Sequence, residues 1–341
     1  MFLRGINYDV GTSFRKGELS RPEFNEADIE SEIGIIRNEL HCDAIKITGH
    51  DVQRLAKASA FALEQGLQVW LTPSYIDATK EEALAHLIDC AIVAEKLRVK
   101  YGNIVFVVGF EYSLFLKGFI KGDTIYKRLG RMFSPWGMVL NLLGLRQGIY
   151  RKLNAFLKTA AGEIREHFGG DLTYASGEWE KINWDPFDIV GVDHYRAAYN
   201  KAIYTKQLQA YYKFNKPVAV LEFGCCAYKG AEDKGPTGWA ITEVINDQRV
   251  IKGSPVRDET VQANYITELL DVFKQEKVLA ALVFTFINPM YIYHNDPRLD
   301  LDLASYGIVK PVNEAAYKGL RWIPKEAFYR LSAYYKKLNN D

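Results

Sequence analysis

The chain has 341 residues, with 43 Lys and Arg against 42 Asp and Glu, a formal net charge of +1, and 48% apolar content. That balance argues against a nucleic-acid protein, which carries a basic excess or stripe, and the apolar content excludes disorder. The aromatic load is unusual, with 21 Tyr, 18 Phe and 6 Trp.

Nothing at the N-terminus reads as a targeting leader, because Met1 to Asp9 already has the pattern of a strand. The most apolar uncharged stretch, Met132 to Leu145, contains Pro135 and falls short of the roughly 20 residues of a membrane helix. Cys42, Cys90, Cys225 and Cys226 show no zinc or redox spacing. The expectation is a cytoplasmic protein with no membrane partner, no nucleic-acid partner and no cofactor.

In chain order, the first strand is predicted over Phe2–Tyr8, and a helix over Glu26–Leu40 opens behind Asn25. A strand at Ala44–Thr48 and a helix at Val52–Gln65, stopped by Gly66, follow. Next come the strand Gln68–Thr72 and the helix Lys80–Tyr101, whose stripe is Leu84, Leu87, Ile88, Ala91, Ala94 and Leu97. The fourth strand is Ile104–Phe110. Leu114 to Tyr150 is then too long for an ordinary connection and reads as a functional lid. It carries Phe115, Phe119, Tyr126, Phe133 and Trp136 around the apolar run Met138 to Leu145; an oligomer contact is the second reading.

A helix at Arg151–Phe168 ends at Gly169-Gly170, and the fifth and sixth strands are Leu172–Ser176 and Ile189–His194. Gly177 to Phe187 between them is too short for a regular helix. The seventh strand is Val218–Phe223, followed by a glycine-bearing loop to Gly238, the helix Glu259–Gln275, the eighth strand Ala280–Phe286 and a closing helix at Pro324–Lys337. Strands written as continuous apolar runs are buried on both faces. Eight of them with intervening helices predict a single (β/α)8 barrel over residues 1–341, with extended loops after strands four and seven.

Such barrels place chemistry at the C-terminal strand ends. Read in order, those ends are Asp9, His50-Asp51, Tyr75, Glu111-Tyr112, Glu178-Trp179, Asp193-His194-Tyr195, Glu222 and Asn288. Glu111 and Glu222 are ionisable residues closing apolar strands, four and seven in order. Two carboxylates about 5–5.5 Å apart suit retaining glycoside hydrolysis. Neighbouring negative charge would keep the acid of the pair protonated. The structural alternative is that each Glu caps a helix or pairs with a base such as Lys46 or Arg4. Glu178 and Glu180 compete with Glu111 as proton donor.

The sequence here resembles clan A glycoside hydrolases. The likeness rests on Arg4-Gly-Ile-Asn7, Glu111, Asp188-Ile-Val-Gly-Val-Asp193-His-Tyr195 and Lys216-Pro-Val-Ala-Val-Leu-Glu222-Phe-Gly224. The nearest flavour is the family 5 and family 113 β-mannanase type. Ala175-Ser-Gly-Glu-Trp179 and Asp300 to Gly307 are similar to bacterial barrel proteins labelled "abortive infection" proteins. The clan resemblance implies Glu222 as nucleophile and Glu111 as general acid/base. The clan has Asn before the acid/base and often a Trp ending strand eight; here these places hold Phe110 and Phe284-Thr-Phe286.

Trp179, Tyr112, Tyr195, Trp239 and Phe286 are candidate platforms for sugar rings, and Asp9, His50, Asp193 and His194 candidate hydroxyl partners. Lys46 could act as a Schiff-base lysine only if desolvated; a buried ion pair with Asp9 or Asp193 is the simpler expectation. His50, His194 and His294 lack metal-site spacing. The loop after strand seven, where barrel phosphate sites form, carries Glu232 and Asp233 and reads as a substrate cover. The expected function is retaining hydrolysis of a β-glycosidic bond, with carbohydrate as the partner. A non-catalytic carbohydrate-binding barrel is the main alternative, and a barrel for a phosphorylated or carbonyl substrate the other.

Overall fold

The computed structural model describes residues 2–15, 17–134, 137, 147–246 and 248–338. In chain order the strands are β1 (Leu3–Gly11), β2 (Ala44–Gly49), β3 (Gln68–Pro73), β4 (Ile104–Phe110), β5 (Asp171–Gly177), β6 (Val190–Asp193), β7 (Val218–Phe223), β8 (Thr242–Ile245), β9 (Gln248–Ile251), β10 (Ala280–Val283), β11 (Val309–Pro311) and β12 (Trp322–Pro324). Eight of them close a parallel barrel in the order β1-β10-β7-β6-β5-β4-β3-β2. This is the (β/α)8 architecture expected from the sequence.

Helices lie between most strands, each started by local chemistry. Asn25 accepts hydrogen bonds from the backbone N–H groups of Ala27 and Asp28, and Asp51 does the same for Gln53 and Arg54. Thr79 and Glu82 form a reciprocal capping box for the helix Lys80–Tyr101. Asp258 caps Glu259–Gln275. The link from β5 to β6 contains turns and no helix.

Ala44, Trp70, Val105, Val107, Ala175, Ile189, Ala219, Leu221, Ala280 and Leu282 form one apolar cluster from seven of the barrel strands or the residue preceding one, filling the barrel interior. A second, larger cluster lies between strands and helices. Much of the aromatic load is spent here: Tyr8, Trp70, Tyr174, Trp322 and Tyr335 are fully buried.

The eighth barrel strand stops at Val283 and does not reach Phe286 as its apolar run suggests. Past that point single bonds to the flanking strands remain, Phe284 N–H to Phe223 O at 2.8 Å and Phe286 N–H to Asn7 O at 3.0 Å, while Thr285 N–H turns to Tyr306 O at 3.2 Å. Two antiparallel hairpins, β8–β9 and β11–β12, were not signalled by their short, mixed-polarity runs. No helix among the described residues is long and apolar enough to cross a membrane.

Candidate active site

Both strands that end in the paired glutamates carry an extra residue just before them. On β4, Val107 pairs with Thr173 but Phe110 with Ala175, so three steps on one strand match two on the other. On β7, Val192 faces Val220 while Asp193 faces Glu222, again with one residue inserted. Bulges of this kind re-aim a side chain at a barrel rim. Leu221 belongs to the interior cluster, and the adjacent Glu222 also reaches an interior side chain, which strict alternation would forbid.

That interior side chain is Lys46 of β2. Its ammonium donates to Glu222 Oε1 at 2.6 Å; the Lys46 side chain is 0% exposed and that of Glu222 18%. Lys46 therefore pairs with Glu222 and not, as its position suggested, with Asp9 or Asp193. The ammonium also lies 6.0 Å from the Phe110 ring centroid. Tyr195 donates its hydroxyl to the other oxygen, Glu222 Oε2, at 3.2 Å. Glu222 thus meets a cation on its buried side and a hydroxyl beside it, and keeps an open edge.

Glu111 lies in the left-handed region, φ 40° and ψ 42°, between β4 and the short helix Tyr112–Phe115. A non-glycine residue there is uncommon, and such outliers gather at functional sites. Gly109, at φ 88°, makes the same corner possible: a Cβ there would stand 2.0 Å from the Tyr112 ring. Burial holds the Glu111 carboxyl well above the ordinary carboxylate range, and the charges of Asp193, Glu222 and Glu180 add to this. Asp193 is raised in the same way, first by burial and then by Glu222. It is 2% exposed, and neither of its oxygens receives a hydrogen bond from the described residues.

The two competing glutamates are engaged elsewhere. Glu180 is buried, accepting from Ser113 N–H at 2.9 Å and from the Tyr174 hydroxyl at 2.9 Å; burial pushes it up to about 7. Glu178 faces His194 Nδ1 at 3.2 Å and accepts from the Tyr199 hydroxyl at 3.1 Å.

Several expected contact residues turn away from the mouth. Tyr112 is 3% exposed, because its ring swings over Gly109 into the core against Phe156 and Tyr174. Phe286 is 0% exposed, packed on Trp322 and Tyr8 once the chain leaves the barrel. Both are core residues and not sugar platforms. His194 is 1% exposed, stacked on Tyr204 at 4.1 Å; it orients Glu178 instead of reaching ligand. Asp9 bends back to accept from Gly11 N–H and the Thr12 hydroxyl.

His50 is partly exposed, its Nδ1 3.0 Å from Ser74 O, beside Tyr75 and His86. Trp179 is partly exposed and donates from its indole to Ser113 Oγ at 3.1 Å, packing against the cluster of Leu114, Ile120, Ile125 and Met132. Trp239 is partly buried in the loop after β7. Sequence reasoning gave no role to Ser113, which holds both Glu180 and Trp179. Nor did it single out Tyr306, whose ring meets Tyr195 edge-on and whose hydroxyl ties down Gly235 and Gly238. The run Asp300 to Gly307 was the only signal for it.

Of the expected lid, the helix Ile125–Met132 is present, with Tyr126 and Phe133 exposed. Trp136 and the run Met138 to Leu145 lie outside the described residues. No group of three or more His, Cys, Asp or Glu among the described residues is placed to hold a metal ion.

No family model and no curated protein matches the sequence. Solved structures do match in fold. A family 113 β-1,4-mannanase superposes with a TM-score of 0.61 at 14% identity, covering 98% of this chain and 99% of that one. The family 113 β-mannanase of Alicyclobacillus acidocaldarius gives 0.60 at 12% identity, with 99% and 98% covered. A β-glucuronidase of an uncultured Clostridium gives 0.56 at 13%, covering 99% of this chain and 50% of that one. The architecture is thus shared with glycoside hydrolases over nearly the whole chain.

Proposed function

We propose that this chain, as one catalytic domain over residues 1–341, is a retaining glycoside hydrolase that cleaves a β-glycosidic bond in an oligo- or polysaccharide in the cytoplasm. Glu222 is the nucleophile and Glu111 the general acid/base. What carries the reading is the opposed surroundings of two glutamates at the ends of two bulged strands, β4 and β7. Glu111 holds its proton through burial and surrounding negative charge, whereas Glu222 receives the Lys46 ammonium and the Tyr195 hydroxyl. A buried carboxyl of raised proton affinity suits the acid, and a carboxylate paired with an ammonium suits the nucleophile.

In the first step the Glu222 carboxylate forms a bond to the anomeric carbon as the glycosidic C–O bond breaks. The leaving oxygen takes the Glu111 proton. Glu111, now a carboxylate, then accepts a proton from the water that opens the glycosyl–enzyme ester. Tyr195 and Lys46 hold the Glu222 carboxylate for attack, and Trp179, Asp193 and His50 line the approach. No cofactor takes part. The fold shared with mannanases and β-glucuronidases supports the class of chemistry, whereas the likeness to barrels labelled "abortive infection" rests on the sequence runs alone and adds no activity.

The test is a panel of aryl β-glycosides and β-linked oligosaccharides with Glu222→Gln as control. Turnover by the parent that survives Glu222→Gln overturns the mechanism. Azide should rescue Glu111→Ala on an activated aryl glycoside and yield a β-glycosyl azide; rescue at Glu178→Ala instead would reassign the acid/base. One observation favours a non-catalytic sugar-binding barrel: Phe110, packed on Phe115 at 4.9 Å, offers no hydrogen bond to a substrate hydroxyl beside the acid/base. Sugar binding unchanged in parent and Glu222→Gln, with no turnover of the panel, would establish that reading.

A further inference from the structure

The mouth of the barrel carries more carboxyl groups than cations. Glu111, Asp193 and Glu222 act on one another electrostatically, with Glu180 adding to the same field. Lys46 is the one cation among the groups that shift Asp193 and Glu111, and its ammonium is committed to Glu222 at 2.6 Å. Arg196, next along from Tyr195, turns away: its guanidinium stacks over Tyr265 at 5.0 Å and pairs with Glu268 at 2.8 Å.

Asp193 is the residue this arrangement leaves unexplained. It faces Glu222 across β6 and β7. On its own strand it shares parity with Ile189 of the interior cluster, so its carboxyl points to the barrel axis. It is 2% exposed, yet neither oxygen has a donor among the described residues. Buried carboxyl oxygens are ordinarily hydrogen-bonded, and exceptions ask for an explanation. A donor arriving with a ligand supplies one. A second carboxylate arriving there would meet like charge with no free cation beside it among the described residues, which opposes binding strongly.

We propose that Asp193 is a specificity-determining residue that admits sugars presenting a hydroxyl or ammonium donor to the cleft floor and excludes those presenting a carboxylate there. On the glycosidase reading, on which this rests, the substrates are neutral or amino sugars and not uronic acids. The fold alone leaves this open, because barrels of this architecture include both mannanases and β-glucuronidases.

The experiment compares kcat/KM on 4-nitrophenyl β-D-mannoside, β-D-glucoside, 2-amino-2-deoxy-β-D-glucoside and β-D-glucuronide, with thermal-shift binding of mannose, glucose, glucosamine and glucuronate run in parallel. The parent should favour its best donor sugar over the glucuronide by about a hundredfold. Asp193→Asn should narrow that ratio by about tenfold, because it keeps the shape and removes the charge. Asp193→Ala, should Asn fail to fold, should weaken donor-sugar binding. The inference is overturned by a glucuronide used as well as the neutral and amino glycosides, by an unchanged ratio in Asp193→Asn, or by no sugar binding at all. Donor sugars bound through Asp193 without any turnover would instead retire the hydrolase reading and keep this one.

Discussion

Asp193 and Asp302 are both buried carboxyls, at 2% and 0% exposed, yet their surroundings differ. Asp302 has Lys325, itself 0% exposed, at 2.8 Å and Arg257 at 2.9 Å; Arg257 also holds Asp300 at 2.6 Å. That cluster joins the loop after β7 to the segment after β10 and matches buried anions with buried cations. Asp193, Glu111 and Glu222 share Lys46 alone. Matched buried charge fixes a scaffold at little net gain, while removing one partner is costly. Burial raises the proton affinity of Asp302 as well as Asp193, so it is the missing partners that mark a place kept for something else. The contrast separates the staple between these two segments from the site at the barrel mouth.

The largest test of that contrast is at Glu222. Glu222→Gln should lower turnover by at least about a thousandfold and, by leaving Lys46 buried without an anion, cost about 3 kcal/mol in urea unfolding. Lys46→Met with Glu222→Leu should recover most of that stability while remaining inactive. A stable Glu222→Gln single variant would show that the pair is not a true buried ion pair.

At the staple, Lys325→Met should cost about 3–5 kcal/mol without moving the pH profile of activity. A shifted profile would join the two regions that the comparison keeps apart.

Glu180 gives a stability difference that depends on pH. Its folded value of about 7 lies above the ordinary 4.5, so the folded state holds the proton more tightly. The associated stability is complete below about pH 4.5 and is lost as pH rises through about 7. Unfolding of Glu180→Gln against parent at pH 4 and pH 8 should therefore differ by about 3 kcal/mol in the variant's favour at the higher pH. Asp193→Asn should behave with the same sign, because Asp193 too is raised: the variant gains on the parent as pH rises. An equal gap at both pH values would refute the raised proton affinity of these buried carboxyls.

The smallest effect belongs to surface pairs. Asp123 and Lys127 lie 3.3 Å apart at 87% and 65% exposed, and Lys127→Ala should change stability by less than about 0.5 kcal/mol.

The eight apolar runs, their caps and the short link between β5 and β6 were legible because each depends on neighbours in sequence. Glu111 and Glu222 were legible as ionisable residues ending apolar strands. Orientation was not. Tyr112 follows Glu111 directly, yet Gly109 and the left-handed turn at Glu111 send its ring into the core. Phe286 lies in the apolar run of the last strand, yet its ring is buried against Trp322 and Tyr8, and the regular ladder ends at Val283, where Thr285 turns its N–H to Tyr306. The hairpins β8–β9 and β11–β12 carry too short a pattern to be read from either strand alone.

What the sequence by itself determined is the alternation of buried strands with capped helices, and with it which residues stand at strand ends. Periodicity and capping are local, so they are written in consecutive residues. Tertiary structure alone decided that Lys46, from the second strand, answers Glu222, from the seventh, and that Asp193 has no donor among the described residues. It also decided that one extra residue in β4 and one in β7 turn the two glutamates to their places. Register and charge pairing are set between strands far apart in the chain, where closure of the barrel brings them into contact and no sequence window contains both partners.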